Sequence, residues 1–298
     1  MPDSRAARDI SYASSAETRG GRFMIRTLEN LTGRQRLIRM ARGYEHEVAA
    51  GRSFWEVMIE RYQLGLDVRG GALTAMPAEG PLIVISNHPF GILDGLMLGH
   101  ILQQTRGDFR ILANSVFCKA SDLERVILPV SFDETREAVA LNLATRKTAL
   151  SYLAGGGCIG VFPGGTVSTA KKPLGGRAMD PGWRTFTAKM IAKSGATVVP
   201  IYFDGSNSRR FQIASHLHPN LRLGLLINEF RTRLNKKVPV VIGDPIKAEE
   251  IAARAKNARA LMDFLREETY RLSPDPIEDL SYGYEFEERH ASQNVAGG

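Results

Sequence analysis

The chain has 298 residues, 43% of them hydrophobic and 24% charged, with a net charge of +7 and a pI near 9.5. That composition suits one large α/β domain with appendages, and the two cysteines, Cys118 and Cys158, carry neither a disulfide framework nor zinc-ligand spacing, which fits a reducing, cytoplasmic compartment. No apolar run approaches the roughly 18 residues of a membrane-spanning helix, and the basic balance points to an anionic partner: a phospholipid surface, a nucleic acid or an acidic carrier protein.

Residues 1–21 are polar, lack the apolar core of a secretory signal and read as a flexible tail. The segment 22–70 reads as amphipathic, helical and membrane-associating. Between Arg19 and Arg42 the arginines at 19, 22, 26, 34, 36, 39 and 42 face a single acid, Glu29, and are interleaved with Phe23, Ile25, Leu28, Leu31, Leu37, Ile38 and Met40. A helix pair of this kind either lies in a lipid interface with its arginines on anionic headgroups or packs its apolar stripe on the domain and leaves the arginines solvated. Both uses stay open at this point. Residues 54–62 have helical spacing and two large aromatics, Phe54 and Trp55, for which core packing is expected.

From 71 to 272 short β-branched runs alternate with longer helical stretches. The pattern predicts strands at 82–85, 109–113, 126–130, 158–162, 197–203 and 238–242, and helices at 92–104, 135–153, 183–193 and 248–272. The expected fold is α/β, a mostly parallel central sheet flanked by helices, with an N-terminal amphipathic helical segment. Residues 273–298, rich in Pro, Asp, Glu, Tyr and Ser, read as a loosely attached acidic tail.

Two strand ends carry chemistry. After the first predicted strand comes Ser86-Asn87-His88-Pro89-Phe90-Gly91-Ile92-Leu93-Asp94. Pro89 holds His88 extended, and Gly91 lets the chain turn into the next helix. If the turn brings Asp94 to His88, the carboxylate fixes the imidazole tautomer and leaves the other nitrogen free to take a proton from a substrate hydroxyl. Ile92, Leu93, Leu96 and Met97 are then candidates for an apolar groove or for plain core. After the strand at 158–162 comes Phe162-Pro163-Gly164-Gly165-Thr166-Val167-Ser168, whose glycines permit close backbone approach and whose amides, with the Thr166 and Ser168 hydroxyls, can meet an oxyanion or a headgroup. Its spacing is neither nucleotide-binding fingerprint. Lys171, Lys172 and Arg177 beyond it form a cluster suited to a donor phosphate or to solvent alone.

Together the two loops, with Val198-Val199-Pro200-Ile201, resemble the first, third and fourth blocks of the glycerolipid (lysophosphatidic-acid-type) acyltransferase superfamily, over about 71–246. The resemblance implies His88 as general base and Asp94 as its orienter; the candidate substrate contacts around them are Asn87, Phe90, Gly91, Phe162, Pro163, Gly164, Gly165, Thr166, Ser168 and Arg177. The resemblance further implies a fatty acyl thioester on CoA or acyl carrier protein as co-substrate, with no cofactor and no metal.

Two departures bear on the acceptor. Five residues separate His88 from Asp94 where four are common, and the common third block, Phe-Pro-Glu-Gly-Thr-Arg-Ser, here has Gly164 and Val167 in the places of the glutamate and arginine associated with a glycerol phosphate. Loss of that guanidinium argues against a phosphate acceptor, which a point charge elsewhere grips poorly. The stretch Phe203-Asp204-Gly205-Ser206-Asn207-Ser208-Arg209-Arg210-Phe211 is similar to the hemolysin-like branch, which includes enzymes making ornithine- and glycine-type aminolipids. The expectation is therefore a lyso-aminolipid O-acyltransferase of ornithine-lipid type, peripheral on the inner face of the cell membrane. The alternatives are a 1-acylglycerol-3-phosphate acyltransferase and a non-catalytic membrane-surface protein; no motif supports a nucleic-acid partner.

Overall fold

The computed structural model describes residues 10–16, 18–114, 123–131 and 135–286. Cys118 and the outer parts of both predicted tails, 1–9 and 287–298, lie outside them.

Four helices lead the chain: α1 (Arg19–Thr32), α2 (Arg34–Ala41), α3 (Tyr44–Ala49) and α4 (Phe54–Arg61). Thr18 caps α1 by accepting from the Gly21 amide, and Gly33 at φ +135° separates α1 from α2. Next come β1 (Gly65–Gly70), β2 (Leu82–Ser86), α5 (Ile92–Arg106), β3 (Arg110–Asn114), β4 (Ile127–Val130), α6 (Arg136–Ala154) and β5 (Cys158–Val161). A hairpin of β6 (Thr169–Lys172) and β7 (Gly175–Met179) leads to α7 (Thr185–Ser194) and β8 (Thr197–Phe203). The chain closes with α8 (Arg209–Leu217), α9 (Pro219–Arg233), β9 (Lys237–Ile242), α10 (Ala248–Arg254) and α11 (Ala258–Arg271).

Seven strands form one sheet in the order β1-β9-β8-β2-β5-β3-β4. Every pair is parallel except β8 with β9. All five residues of β2 are buried, and the pleat divides them: Leu82 and Val84 join a core with Trp55, Leu93 and Phe230, whereas Ile83 and Ile85 join one with Leu153, Trp183 and Leu265. Helices therefore cover both faces, as a strand this apolar requires. The core on the first face is close: a Cβ on Gly99 of α5 would lie 2.3 Å from the Trp55 ring of α4.

Several expectations are corrected. The helical segment assigned to 22–70 ends early, because Gly65–Gly70 pairs with β9 as an edge strand of the sheet. Within the tail assigned to 1–21, α1 begins at Arg19, and Ser11 and Tyr12 are tied down through the buried Glu29, which accepts from Ser11 Oγ and from Tyr12 N at 2.6 Å. Burial pushes the Glu29 pKa up, and these two donors oppose the shift. The helix expected at 248–272 is broken at Asn257, whose side chain caps α11. The tail from 273 is not loose over its described part: Arg184 pairs with Glu285, the Gly283 amide donates to Asp180 O at 2.9 Å, and the Tyr284 amide donates to Thr169 O at 3.0 Å.

The arginine-rich helix packs its apolar stripe on the domain, one of the two uses left open by its sequence. Ile25 and Leu28 of α1 face α9, where Gly224 lets Leu28 approach. Phe23 and Leu31, 75% and 80% exposed, stand outward beside the exposed Arg19 and Arg22. Among the described residues, no helix is long and apolar enough to cross a membrane.

Candidate active site

Parallel neighbours β2 and β5 deliver both sequence-predicted loops to one edge of the sheet, the carboxyl ends of the strands, where open α/β sheets place their sites. At the end of β2 the side chain of Asn87 acts as a further rung of the ladder: its Oδ1 accepts from Phe203 N at 2.7 Å and its Nδ2 donates to Phe203 O at 2.9 Å. Asn87 is thus committed to joining β2 to β8 rather than to a substrate. The chain then leaves the sheet at His88.

Five intervening residues do close on the histidine. Gly91, at φ +84° and ψ −124°, makes the turn into α5; a Cβ there would also meet Tyr12 Oη at 3.0 Å and Leu226 at 3.2 Å. Asp94 Oδ2 accepts from Phe90 N at 2.7 Å and Gly91 N at 3.0 Å, and lies 2.9 Å from His88 Nδ1. The distance is that of an ion pair, while the approach falls outside strict hydrogen-bond geometry; such contacts tighten when substrate closes a site. Asp94 is fully buried and its side chain is held by backbone donors at a helix N-terminus, where the dipole favours negative charge. Burial nevertheless pushes its pKa up, opposed by the nearby His88 and the Phe90 and Gly91 amides.

The His88 ring packs on Phe162 of the glycine loop, with centroids 4.4 Å apart, and its side chain keeps 19% exposure. With Nδ1 buried against Asp94, Nε2 is the nitrogen left to reach a substrate. The peptide of His88 is held at both ends: its N–H donates to Asp180 Oδ1 at 3.2 Å and its carbonyl accepts from Ser168 N at 2.8 Å.

The glycine loop is more committed than its sequence suggests. Gly165, at φ +70°, donates its amide to Phe162 O, and Pro163 O accepts from Arg184 N. Ser168 Oγ donates to Asp180 Oδ1, which removes it from the candidates for substrate contact. Thr166 is half-buried, and its Oγ1 accepts from Arg222 Nη2 at 2.9 Å, so its own proton is left to donate. Leu93, Leu96 and Met97 are core residues, and only Ile92 of the candidate acyl-groove side chains is partly exposed. Arg177 donates to Tyr202 Oη at 3.1 Å and Ser273 Oγ at 2.8 Å, tying β7 to the C-terminal segment; Lys171 and Lys172 remain exposed.

The sequence pattern missed three residues. Arg222, buried on α9, donates from Nη1 to Thr169 Oγ1 and Ser215 Oγ, and from Nη2 to Thr166 Oγ1 and, at 2.7 Å, Val167 O. A guanidinium therefore stands at the loop after all, delivered from another helix. Its hydrogen-bond partners are neutral, and desolvation lowers its pKa to about 9. Tyr12 Oη accepts from the Ile92 amide at 3.1 Å, bringing the N-terminal segment to the same turn. Asp180 is fully buried beneath both loops.

A family model described as Acyltransferase matches residues 32–276. A lyso-glycine lipid O-acyltransferase of Phocaeicola vulgatus is 25% identical over 259 residues, 84% of this chain and 88% of that protein. Another of the same description, from Bacteroides thetaiotaomicron, is 24% identical over 230 residues, 74% of this chain and 80% of that one. The crystal structure of the 1-acyl-sn-glycerophosphate (LPA) acyltransferase PlsC from Thermotoga maritima aligns with a TM-score of 0.45 at 15% identity, covering 89% of this chain and 87% of that one. With a histidine and a buried carboxylate joined at the end of β2, and the family model spanning most of its length, the chain belongs to the acyltransferase family, and the protein is an enzyme.

Proposed function

We propose that the protein is a lysolipid O-acyltransferase that moves a fatty acyl group from a thioester, on CoA or acyl carrier protein, to the free hydroxyl of a lyso-aminolipid of glycine or ornithine type. The observation that carries this reading is the 2.9 Å approach of His88 Nδ1 to the fully buried Asp94. His88 Nε2 takes the hydroxyl proton as the oxygen attacks the thioester carbonyl, and Asp94 stabilises the imidazolium. The tetrahedral oxyanion is met by the Thr166 hydroxyl, polarised by Arg222. Collapse breaks the carbon–sulfur bond, and the departing thiolate takes the proton back from His88, leaving an ester and a free thiol.

The acceptor class rests on Arg222 and on the descriptions of the two curated relatives. Arg222 contributes positive potential beside Thr166, which favours an anionic headgroup. Both terminal nitrogens are already engaged with Thr166, Val167, Thr169 and Ser215, so no fork is offered to a phosphate. A single amino-acid carboxylate fits that arrangement better than a phosphomonoester. Mass-spectrometric acyl transfer, with acyl-CoA and acyl carrier protein donors crossed against lyso-glycine, lyso-ornithine and lysophosphatidic lipids, tests it. Product from the aminolipids at least tenfold above the phosphatidic product is expected; the reverse preference overturns the acceptor assignment and keeps the reaction, and no transfer to any lysolipid overturns both.

The same reading places the enzyme at an anionic membrane surface, on the cytoplasmic face. Phe23 and Leu31 stand outward on α1, among the exposed Arg19, Arg22, Arg36 and Arg39 of α1 and α2. Flotation with anionic vesicles at low salt is expected to carry the wild type and to lose most of a Phe23→Glu/Leu31→Glu variant. Equal flotation of the two would remove α1 from the interface.

A further inference from the structure

We infer that Asp180 is a positioning residue for the histidine base. It lies just beyond β7, fully buried, outside both loops that the sequence marks. Its Oδ1 accepts from the His88 amide at 3.2 Å and from Ser168 Oγ, while the Ser168 amide donates to His88 O at 2.8 Å. His88, Ser168 and Asp180 thus close a ring of hydrogen bonds that fastens the base-bearing turn to the glycine loop. Oδ2 accepts from Trp183 Nε1 at 2.8 Å.

The backbone of Asp180 is held as firmly as its side chain. Its amide donates to Tyr270 Oη at 2.6 Å, and its carbonyl accepts from Arg266 Nη2 at 3.1 Å and from the Gly283 amide at 2.9 Å. The carboxylate therefore cannot drift without moving α11 and the C-terminal segment. Gly164 completes the arrangement. A Cβ at 164 would lie 3.0 Å from Asp180 Oδ2, so the loop passes directly over the carboxylate.

Chemistry favours a positioning role over plain packing. The direct donors to the carboxylate are an amide, a hydroxyl and an indole, and burying a carboxylate against neutral donors is costly compared with an apolar side chain of the same size. An acceptor with two oxygens is what allows one side chain to hold His88, Ser168 and Trp183 at once. Without it His88 N and Ser168 Oγ lose their partner, and the imidazole loses the backbone frame that sets its distance to a substrate hydroxyl. Misplacement by a fraction of an ångström acts on the chemical step more than on binding.

The inference rests on His88 being the base, and the test separates the two. Steady-state kinetics are measured for His88→Ala, Asp180→Ala, Asp180→Asn and the double variant Asp180→Gly/Gly164→Asp, which returns a carboxylate to the same space from the other side. Asp180→Ala and Asp180→Asn are expected to lower kcat by about 10²-fold and about tenfold with KM for either substrate within about threefold. The double variant is expected to recover at least tenfold over Asp180→Ala. Should Asp180→Ala fail to fold, Asp180→Asn and the double variant carry the same comparison. Wild-type kcat in the folded Asp180 variants, a KM rise at constant kcat, or a double variant that recovers thermal stability without kcat would each overturn the positioning role. Wild-type kcat in His88→Ala would instead overturn the base assignment itself.

Discussion

His88→Ala is expected to lower kcat by about 10²–10⁴-fold, the usual contribution of a positioned general base, while leaving the KM for the thioester donor within a few fold. The ring sits at the end of β2, stacked on Phe162 and still 19% exposed, so its removal opens no large core cavity. Circular dichroism and the thermal midpoint should stay close to wild type, which separates a chemical effect from unfolding. His88→Gln keeps a polar group of similar reach but cannot cycle a proton near neutral pH, and it should be as inactive as the alanine variant. A kcat within threefold of wild type in both variants would remove His88 from the mechanism and place the proton transfer on another group. Loss of kcat in both, with folding intact, would place the proton transfer on this ring.

The site was legible in part because its two loops are local features. Apolar runs ending in Asn-His-Pro and in Phe-Pro-Gly-Gly mark strand ends with restricted and permissive backbone in sequence, and β2 and β5 stand where those runs predict them. The residues that hold the loops are not local. Asp180 reaches His88 from beyond a hairpin, Arg222 reaches Thr166 from α9, and Tyr12 reaches Ile92 from the N-terminal segment. No period or spacing links such pairs; only the folded chain does.

Missed elements have their own physical reasons. Strand β1, Gly-Leu-Asp-Val-Arg-Gly, lies at the sheet edge, half exposed, and lacks the apolar run of a central strand. The hairpin β6–β7 is Gly- and Lys-rich and pairs only with itself. Helices α8 and α9 carry arginines on several faces, yet their starts were signalled by Ser208 as a capping residue and by Pro219 at the first position. In the C-terminal segment, Tyr282, Tyr284 and Phe286 recur at alternate positions inside an acidic stretch. That recurrence was the sign of a docked strand-like segment: Tyr282 donates to Asp263, Tyr284 packs on His216, and Phe286 covers Arg222 at 4.0 Å.

Asp94→Asn is expected to cost about 10²–10⁴-fold in kcat and yet to leave the fold as stable as the wild type or more so. An asparagine can place its oxygen where Oδ2 now accepts from Phe90 N and Gly91 N, which keeps the cap on α5. Its amide nitrogen would replace Oδ1, a buried atom that has no hydrogen-bond partner among the described residues, so one unsatisfied atom exchanges for another. What disappears is the charge. Because burial raises the Asp94 pKa in the fold above the ordinary carboxylate range, the folded state holds the proton more tightly than the unfolded chain does. The stability that this group contributes is therefore complete below the unfolded pKa and lost as pH rises through the raised one. The wild type should fall behind Asp94→Asn in urea midpoint as pH is brought from acidic to neutral, with little difference at the acidic end. Asp94→Ala removes the cap as well and should lose about 1 kcal/mol in addition to activity. The asparagine variant becomes less stable than wild type at neutral pH only if the carboxylate serves the fold; stable and inactive, it identifies a buried charge kept at the cost of stability to stabilise the imidazolium of His88.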